Sequence, residues 1–261
     1  VIVARDVTEL RQLETMRSDF VANVSHELKT PLSSIKAYAE TLRLGAMDDL
    51  DHRGRFIGEI EEQAERLYLL IIDLIQLARI ESRQEIFEAE ALELGNILLD
   101  SIESFAPVAE SKSLDLQLEA PKTLSMRGDA EGIRTILDNL ISNAIRYTPD
   151  GGTVNVKCMA TDAVVQLEIR DTGIGIAKEH RARIFERFYR IDKARSRDLG
   201  GTGLGLSIVK HLAQALNGTI EVESEIGRGS CFRVTLPLNI ETQAAVELPP
   251  SPDNDVPNSY A

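Results

Sequence analysis

Phe20-Val-Ala-Asn-Val-Ser-His-Glu-Leu-Lys-Thr-Pro-Leu-Ser-Ser-Ile35 is the stretch from which the rest of this chain can be read. Apolar residues recur at Phe20, Val24, Leu28, Leu32 and Ile35, the spacing of one face of an amphipathic helix. A helix turns about 100° per residue, so the seam between Val24 and Leu28 lies opposite position 26. His26 therefore faces solvent with acidic Glu27 beside it, and Thr30 follows on the same face one turn later. Pro31 lacks a backbone donor and invites a kink just after the histidine. An outward histidine on a rigid helix beside a carboxylate has the chemistry of a nucleophile or a general base.

Upstream, residues 1–7 read as the end of a strand and of an earlier domain, with Asp6 or Thr8 capping the helix that follows. The helical pattern runs from Thr8 through Leu13 and Met16 to Leu42, and Gly45 ends it. After an acidic loop over residues 47–52, a second helix runs from about Asp51 to Glu81. Its Phe56, Ile60, Leu67, Leu70, Leu74 and Leu77, with Gln63 in the remaining seam position, make a heptad seam. Two long helices on a short loop form an antiparallel hairpin. One hairpin cannot bury both flanks of its apolar stripe, so a homodimer forming a four-helix bundle is expected.

Composition bounds the function classes. The 261 residues suggest one large or two moderate domains, and 43% hydrophobic content supports a sizeable core. A formal net charge of −13 argues against nucleic acid and against an anionic membrane surface. Cys158 and Cys231 make neither a disulfide framework nor a zinc site, and Cys158 shares the strand parity of Val154 and Val156, as a buried structural thiol would. The longest strongly apolar run, residues 67–72, is too short to cross a bilayer, and no signal-peptide pattern is present. The chain starts at Val1 in what reads as mid-strand, so it is taken as part of a longer protein.

Residues 83–91 are charged, poor in large apolar groups and read as a linker between residues 8–82 and a second domain over residues 92–240. There, helical stretches at residues 95–111, 129–147, 177–188 and 203–216 alternate with short period-two strands. The strands fall at residues 114–118, 123–127, 153–159, 164–170, 220–224 and 230–238. Hairpin-paired strands with separately grouped helices give an α+β two-layer sandwich. Residues 241–261, with Pro, Asn, Ser and four acids but no Lys or Arg, read as a disordered acidic tail.

Four phrases in the second half point to one nucleotide pocket. Asp138-Asn-Leu-Ile-Ser-Asn-Ala-Ile-Arg-Tyr-Thr puts Asn139 and Asn143 on one helix face, with Arg146 and Tyr147 a turn beyond. A neutral amide oxygen suits a magnesium ion already neutralised by phosphates. Asp171-Thr-Gly-Ile-Gly-Ile follows a strand, where Gly173 and Gly175 let the backbone approach a ligand and the carboxylate can accept the amine of adenine. Arg187-Phe-Tyr-Arg190 is an aromatic and basic hinge. Gly200-Gly-Thr-Gly-Leu-Gly-Leu206 opens a helix whose amides can cradle phosphate. No Gly-x-x-x-x-Gly-Lys segment is present, and the dinucleotide fingerprint fails because Leu206 stands where it needs glycine.

In order and spacing these phrases resemble the N, G and F boxes of the Bergerat-type ATPase fold, shared by histidine kinases and type II topoisomerases. Ser25-His-Glu-Leu-Lys-Thr-Pro31 closely resembles the phospho-acceptor box of sensor histidine kinases, and the phrase details are most similar to the PhoR/WalK-type class. The resemblance covers residues 8–238 and implies an ATP-dependent protein-histidine kinase. It implies His26 as phospho-acceptor, Glu27 as its base and Thr30 as a residue for dephosphorylating the partner. It also implies Asn143 as magnesium ligand with Asn139 beside the triphosphate, Arg146, Tyr147 and Arg190 on nucleotide, and Asp171 on adenine. Gly173, Gly175, Gly201, Thr202, Gly203, Leu204 and Gly205 complete the ATP site, with residues 191–201 as a mobile lid. The family often has Lys where this chain has Arg146. His52, His180 and His211 match no motif and are read as surface histidines. The implied partners are a second copy, a response-regulator receiver domain and an upstream PAS-like sensor domain. The implied location is the cytoplasmic part of a bacterial sensor, which in full length can be anchored in the inner membrane. Two competing readings are a dimeric ATP-binding scaffold of the same fold and a topoisomerase- or chaperone-type ATPase. The latter needs further domains.

Overall fold

The computed structural model describes residues 8–47, 49–81, 90–121, 124–161, 163–192 and 201–239. The expectations for the upstream strand end, the body of the linker, most of the lid with Gly200, and the acidic tail lie outside these residues.

Helix α1 (Thr8–Thr41) and helix α2 (Leu50–Glu81) pack side by side as the expected hairpin. A single π turn (Leu42–Ala46) closes α1, where Gly45 takes φ 136°. The connection is shorter than expected: α2 starts at Leu50, and the Asp49 carboxylate accepts from the His52 backbone N–H at 3.2 Å. Pro31 sits inside α1 without ending it and is buried. Leu32, expected on the inward face, is 58% exposed, because Pro31 takes the inward place. Val21, Tyr68, Ile71, Ile72 and Ile75 are exposed as well. No helix among the described residues is long and apolar enough to cross a membrane.

The second half begins with a strand that the sequence reading missed. Glu90 and Ala91, assigned above to the linker, belong to β1 (Glu90–Glu93), which pairs antiparallel with β3 (Ser125–Gly128). Its four residues include one buried apolar side chain, Leu92, too little for a period-two signal. Helix α3 (Leu94–Ser111) follows, then β2 (Asp115–Glu119). Helix α4 (Ala130–Tyr147) starts at Asp129, whose side chain accepts from the Glu131 N–H, as expected of an N-cap. Strands β4 (Thr153–Ala160) and β5 (Val164–Asp171), helix α5 (Gly205–Ala215), and strands β6 (Thr219–Glu225) and β7 (Gly229–Pro237) complete it. The main sheet has order β2-β4-β5-β7-β6, antiparallel except for the β2–β4 pair.

Parity explains how this sheet holds its helices. Val156, Ile169 and Phe232 are neighbours across three strands, as are Cys158, Leu167 and Val234, and all are buried. Ile133, Ile136, Leu137, Leu140 and Ile141 of α4 and Leu204, Ile208 and Leu212 of the α5 segment are buried in the same core. The opposite sheet face carries charge: Arg233 bonds Glu168 at 3.1 Å and Glu223 at 3.3 Å. Both cysteines are buried, and desolvation pushes each thiol up to about 11. Residues 177–188 do not form the expected helix. They make successive turns with one 3-10 turn (Arg183–Phe185), because Ile184 and Phe185 are drawn onto the core, Phe185 edge-on to Phe232 at 6.5 Å. Leu140→Ala removes a fully buried side chain from this core. It is expected to cost about 2–5 kcal/mol of stability, checked by chemical denaturation.

Candidate nucleotide site

The strand parity that buries Val165, Leu167 and Ile169 also turns Asp171 under the helices, at the C-terminal end of β5. Its Oδ1 accepts from the backbone N–H of Gly173 at 2.8 Å and of Ser230 at 3.1 Å. Burial nevertheless raises its carboxyl above the ordinary range, the two N–H bonds offsetting part of that. Oδ2 has no hydrogen-bond partner among the described residues. The loop after it is tied on two sides. Ile174 donates its N–H to the Tyr147 carbonyl at the end of α4, and Ile176 donates to Ser224 Oγ of β6. Gly175 lies at φ 71° against the Glu225 carbonyl, where a Cβ has no room.

The end of α4 is fixed by a lysine that the sequence reading did not single out. Lys112 Nζ donates to the carbonyls of Ile145 and Thr148, both at 2.7 Å, and a cation suits a helix C-terminus. Asn139 donates to the Thr135 carbonyl, and its Oδ1 stands where a Cβ on Gly205 would fall. Gly203, at φ 79°, accepts through its carbonyl from the Phe188 N–H, which joins the aromatic hinge to the start of α5.

These elements enclose a cavity of about 640 Å³, the size range of small-molecule sites. Of the expected binding residues, Asn139, Asn143, Arg146, Tyr147, Asp171, Gly175, Arg190, Gly201, Thr202, Gly203 and Gly205 line it. Gly173 supports Asp171 from behind, and Leu204 is a core residue at the N-cap of α5. His180 is half-buried in the cavity wall with Nδ1 2.7 Å from the Tyr189 hydroxyl, so it is not the surface residue expected above. His211 is likewise half-buried, with Nδ1 2.7 Å from the Ser207 carbonyl, whereas His52 is exposed. Asp73 and Leu69, from α2, also face the cavity and were missed.

His26 is exposed on α1 and does not line the cavity. Its neighbour Glu27 reaches it indirectly: Arg190 Nη2 donates to Glu27 Oε2 at 3.1 Å, and Arg66 lies 3.9 Å from the same oxygen. Burial lowers the pKa of Arg190, and the Glu27 carboxylate opposes that. Phe20 of α1 meets the Phe188 ring at 5.9 Å. Gln76 of α2 donates to Thr135 of α4, and Leu77 is fully buried, so the hairpin and the sheet domain are docked. Thr30 is exposed and its hydroxyl donates to the His26 carbonyl at 3.1 Å.

Two family models match in tandem. Residues 16–83 match the His Kinase A (phospho-acceptor) domain. Residues 128–240 match the Histidine kinase-, DNA gyrase B-, and HSP90-like ATPase. The sensor-like histidine kinase SenX3 of Mycolicibacterium smegmatis is 39% identical over 237 residues, 91% of this chain and 62% of that protein. The sensor histidine kinase WalK of Bacillus subtilis is 37% identical over 245 residues, 93% of this chain and 40% of that one. The chain thus spans 62% or less of the length of these relatives. Full-length ShkA, solved in complex with AMPPNP, superposes with TM-score 0.64 at 28% identity over 86% of this chain and 46% of that one.

Gly173→Ala tests how the pocket is built. The added Cβ would stand 2.6 Å from both Asp171 Oδ1 and the Tyr147 carbonyl oxygen. The variant is expected to lose about 1–3 kcal/mol of stability in denaturant titration, with Asp171 displaced in its crystal structure.

Proposed function

The chain belongs to the sensor histidine kinases, in the PhoR/WalK-like class, and from that premise we propose that it phosphorylates His26 from ATP and passes the phosphoryl group to an aspartate of a response regulator. One observation carries this reading. The cavity that gathers Asn143, Arg146, Asp171 and Thr202 has Arg190 in its wall, and Arg190 bonds Glu27, the neighbour of the exposed His26.

In the cavity, adenine presents its amine to the open oxygen of Asp171, while Arg146, Tyr147, Arg190 and the start of α5 take the ribose and phosphates. Among the described residues no three His, Cys, Asp or Glu side chains gather as a metal site, so a magnesium ion would come with the phosphates. The amide oxygens of Asn143 and Asn139 suit such a hydrated, phosphate-bound ion, which would neutralise charge on the phosphates. Neutral His26 then attacks the γ-phosphorus in line. A P–N bond forms, the bond from the γ-phosphorus to its bridging oxygen breaks, and ADP leaves with that electron pair. Glu27 accepts the ring proton once Arg190 has turned from it to phosphate. Because His26 lies outside the cavity, the ATP domain swings along the bundle for this step. The phosphoramidate formed is reactive enough to transfer its phosphoryl group to a carboxylate of the receiver domain.

A homodimer is part of the same reading, since the hairpin exposes Val21, Leu32, Tyr68, Ile71, Ile72 and Ile75. An ATP-binding scaffold of the same fold would use the same pocket. An exposed His26 with a carboxylate beside it favours the kinase. Thr30 adds a second activity, removal of phosphate from the bound regulator. Its hydroxyl donates to the His26 carbonyl, which leaves its oxygen free to accept from an attacking water.

His26→Ala is expected to abolish labelling from radioactive ATP while nucleotide binding stays within about twofold of wild type, as an exposed residue outside the pocket allows. Asn143→Ala is expected to lose both; a His26→Ala chain that still labels would refute the acceptor. Thr30→Ala is expected to keep autophosphorylation but lose most acceleration of phospho-regulator decay in the presence of ADP. Equal decay with Thr30→Ala and wild type would remove Thr30 from that role.

A further inference from the structure

Asp73 is a lone acid inside the apolar run of α2, residues 67–75. It follows Leu70 by three and precedes Leu77 by four, so it shares their face, and both leucines are buried in the common core. This is the face that docks on the ATP-binding half. Asp73 Oδ2 accepts from Thr202 Oγ1 at 2.6 Å, and that hydroxyl accepts from the Leu204 N–H at 3.2 Å. Burial pushes the Asp73 carboxyl up, while the Thr202 bond and the Arg146 guanidinium favour its charged form. Asp73 thus stands in the same cavity as Asn143 and Arg146, and its negative charge sits at the start of α5, where the helix favours an anion. The transfer step gives it no part.

We propose that Asp73 sets the charge selectivity of the nucleotide pocket: its carboxylate occupies Thr202 as an internal anion, and each phosphate of an incoming nucleotide opposes it. This rests on the nucleotide reading of the cavity and adds a residue of the bundle to it. Two consequences follow from the geometry. The docked arrangement disfavours triphosphate more than it disfavours adenosine, because only the phosphates meet the carboxylate. Conversely, triphosphate weakens the hold of α2 on the start of α5, which frees the ATP-binding half to travel toward His26 when it is loaded. By the reciprocity of linked equilibria, docking and loading oppose each other by the same factor.

Two unit charges about 6 Å apart at an effective dielectric near 20 oppose each other by about a hundredfold in an equilibrium constant. Partial exposure and salt reduce this to about tenfold for ATP.

The test is calorimetric titration of the whole chain, without magnesium, with adenosine, AMP, ADP and ATP at one ionic strength. Asp73→Asn keeps an acceptor for Thr202 and removes the charge; Asp73→Ala removes both. Both variants are expected to tighten ATP about tenfold and ADP about threefold, and to leave adenosine unchanged. A change that is the same for all four ligands, as a structural role would give, overturns the inference, and so does weaker ATP binding by Asp73→Asn. A wild-type chain that binds none of the four overturns the nucleotide reading itself, and this inference with it.

Discussion

Arg190 is a guanidinium whose side chain keeps only 7% of its exposure, and a buried charge demands a counter-charge. In this arrangement the counter-charge is Glu27, which belongs to the other half of the molecule. The requirement ties the wall of the cavity to the helix that carries His26. It also makes the tie exchangeable: a phosphate can satisfy Arg190 as well as a carboxylate can, and it arrives only with nucleotide. On the proposed reading, the side chain that closes the docked arrangement is the one that phosphate recruits, leaving Glu27 available to the histidine beside it.

The second half is built so that such an exchange costs little elsewhere. The core between the main sheet and helices α4 and α5 is formed by fully buried aliphatic side chains and does not depend on the site. The groups facing the cavity are placed by backbone bonds: Gly173 and Ser230 for Asp171, Phe188 to Gly203 for the hinge, Lys112 for the end of α4. Ligand-facing groups held this way are pre-organised, and the adjustable contacts are confined to the boundary with the bundle.

Much of this was legible in the residues. The spacing of Phe20, Val24 and Leu28 correctly turned His26 outward, and the strand pattern of Val165, Leu167 and Ile169 located the end of β5 and hence Asp171. Asn139 and Asn143 shared a face because four residues make about one helical turn. What escaped had no local signature. β1 is four residues long and exists because β3 is there to pair with it. Residues 177–188 have helical texture, but the pull of Ile184 and Phe185 onto the core outweighs it. Leu32 kept the helical period but lost its inward place to Pro31. His180 and Asp73 gain their place in the cavity only when distant segments meet. Asp73 did leave a trace, as a charge inside an otherwise apolar run.

The central claim, that the phosphoryl group lands on the imidazole of His26, is tested most directly by locating it. The chain is incubated with ATP and magnesium, digested with trypsin at alkaline pH, and the peptide Ser18-Asp-Phe-Val-Ala-Asn-Val-Ser-His-Glu-Leu-Lys29 is fragmented in a mass spectrometer. The account predicts one added phosphoryl group, on His26, stable in base and lost on brief acid treatment. An acid-stable phosphate on Ser25, or label confined to another peptide, would contradict it.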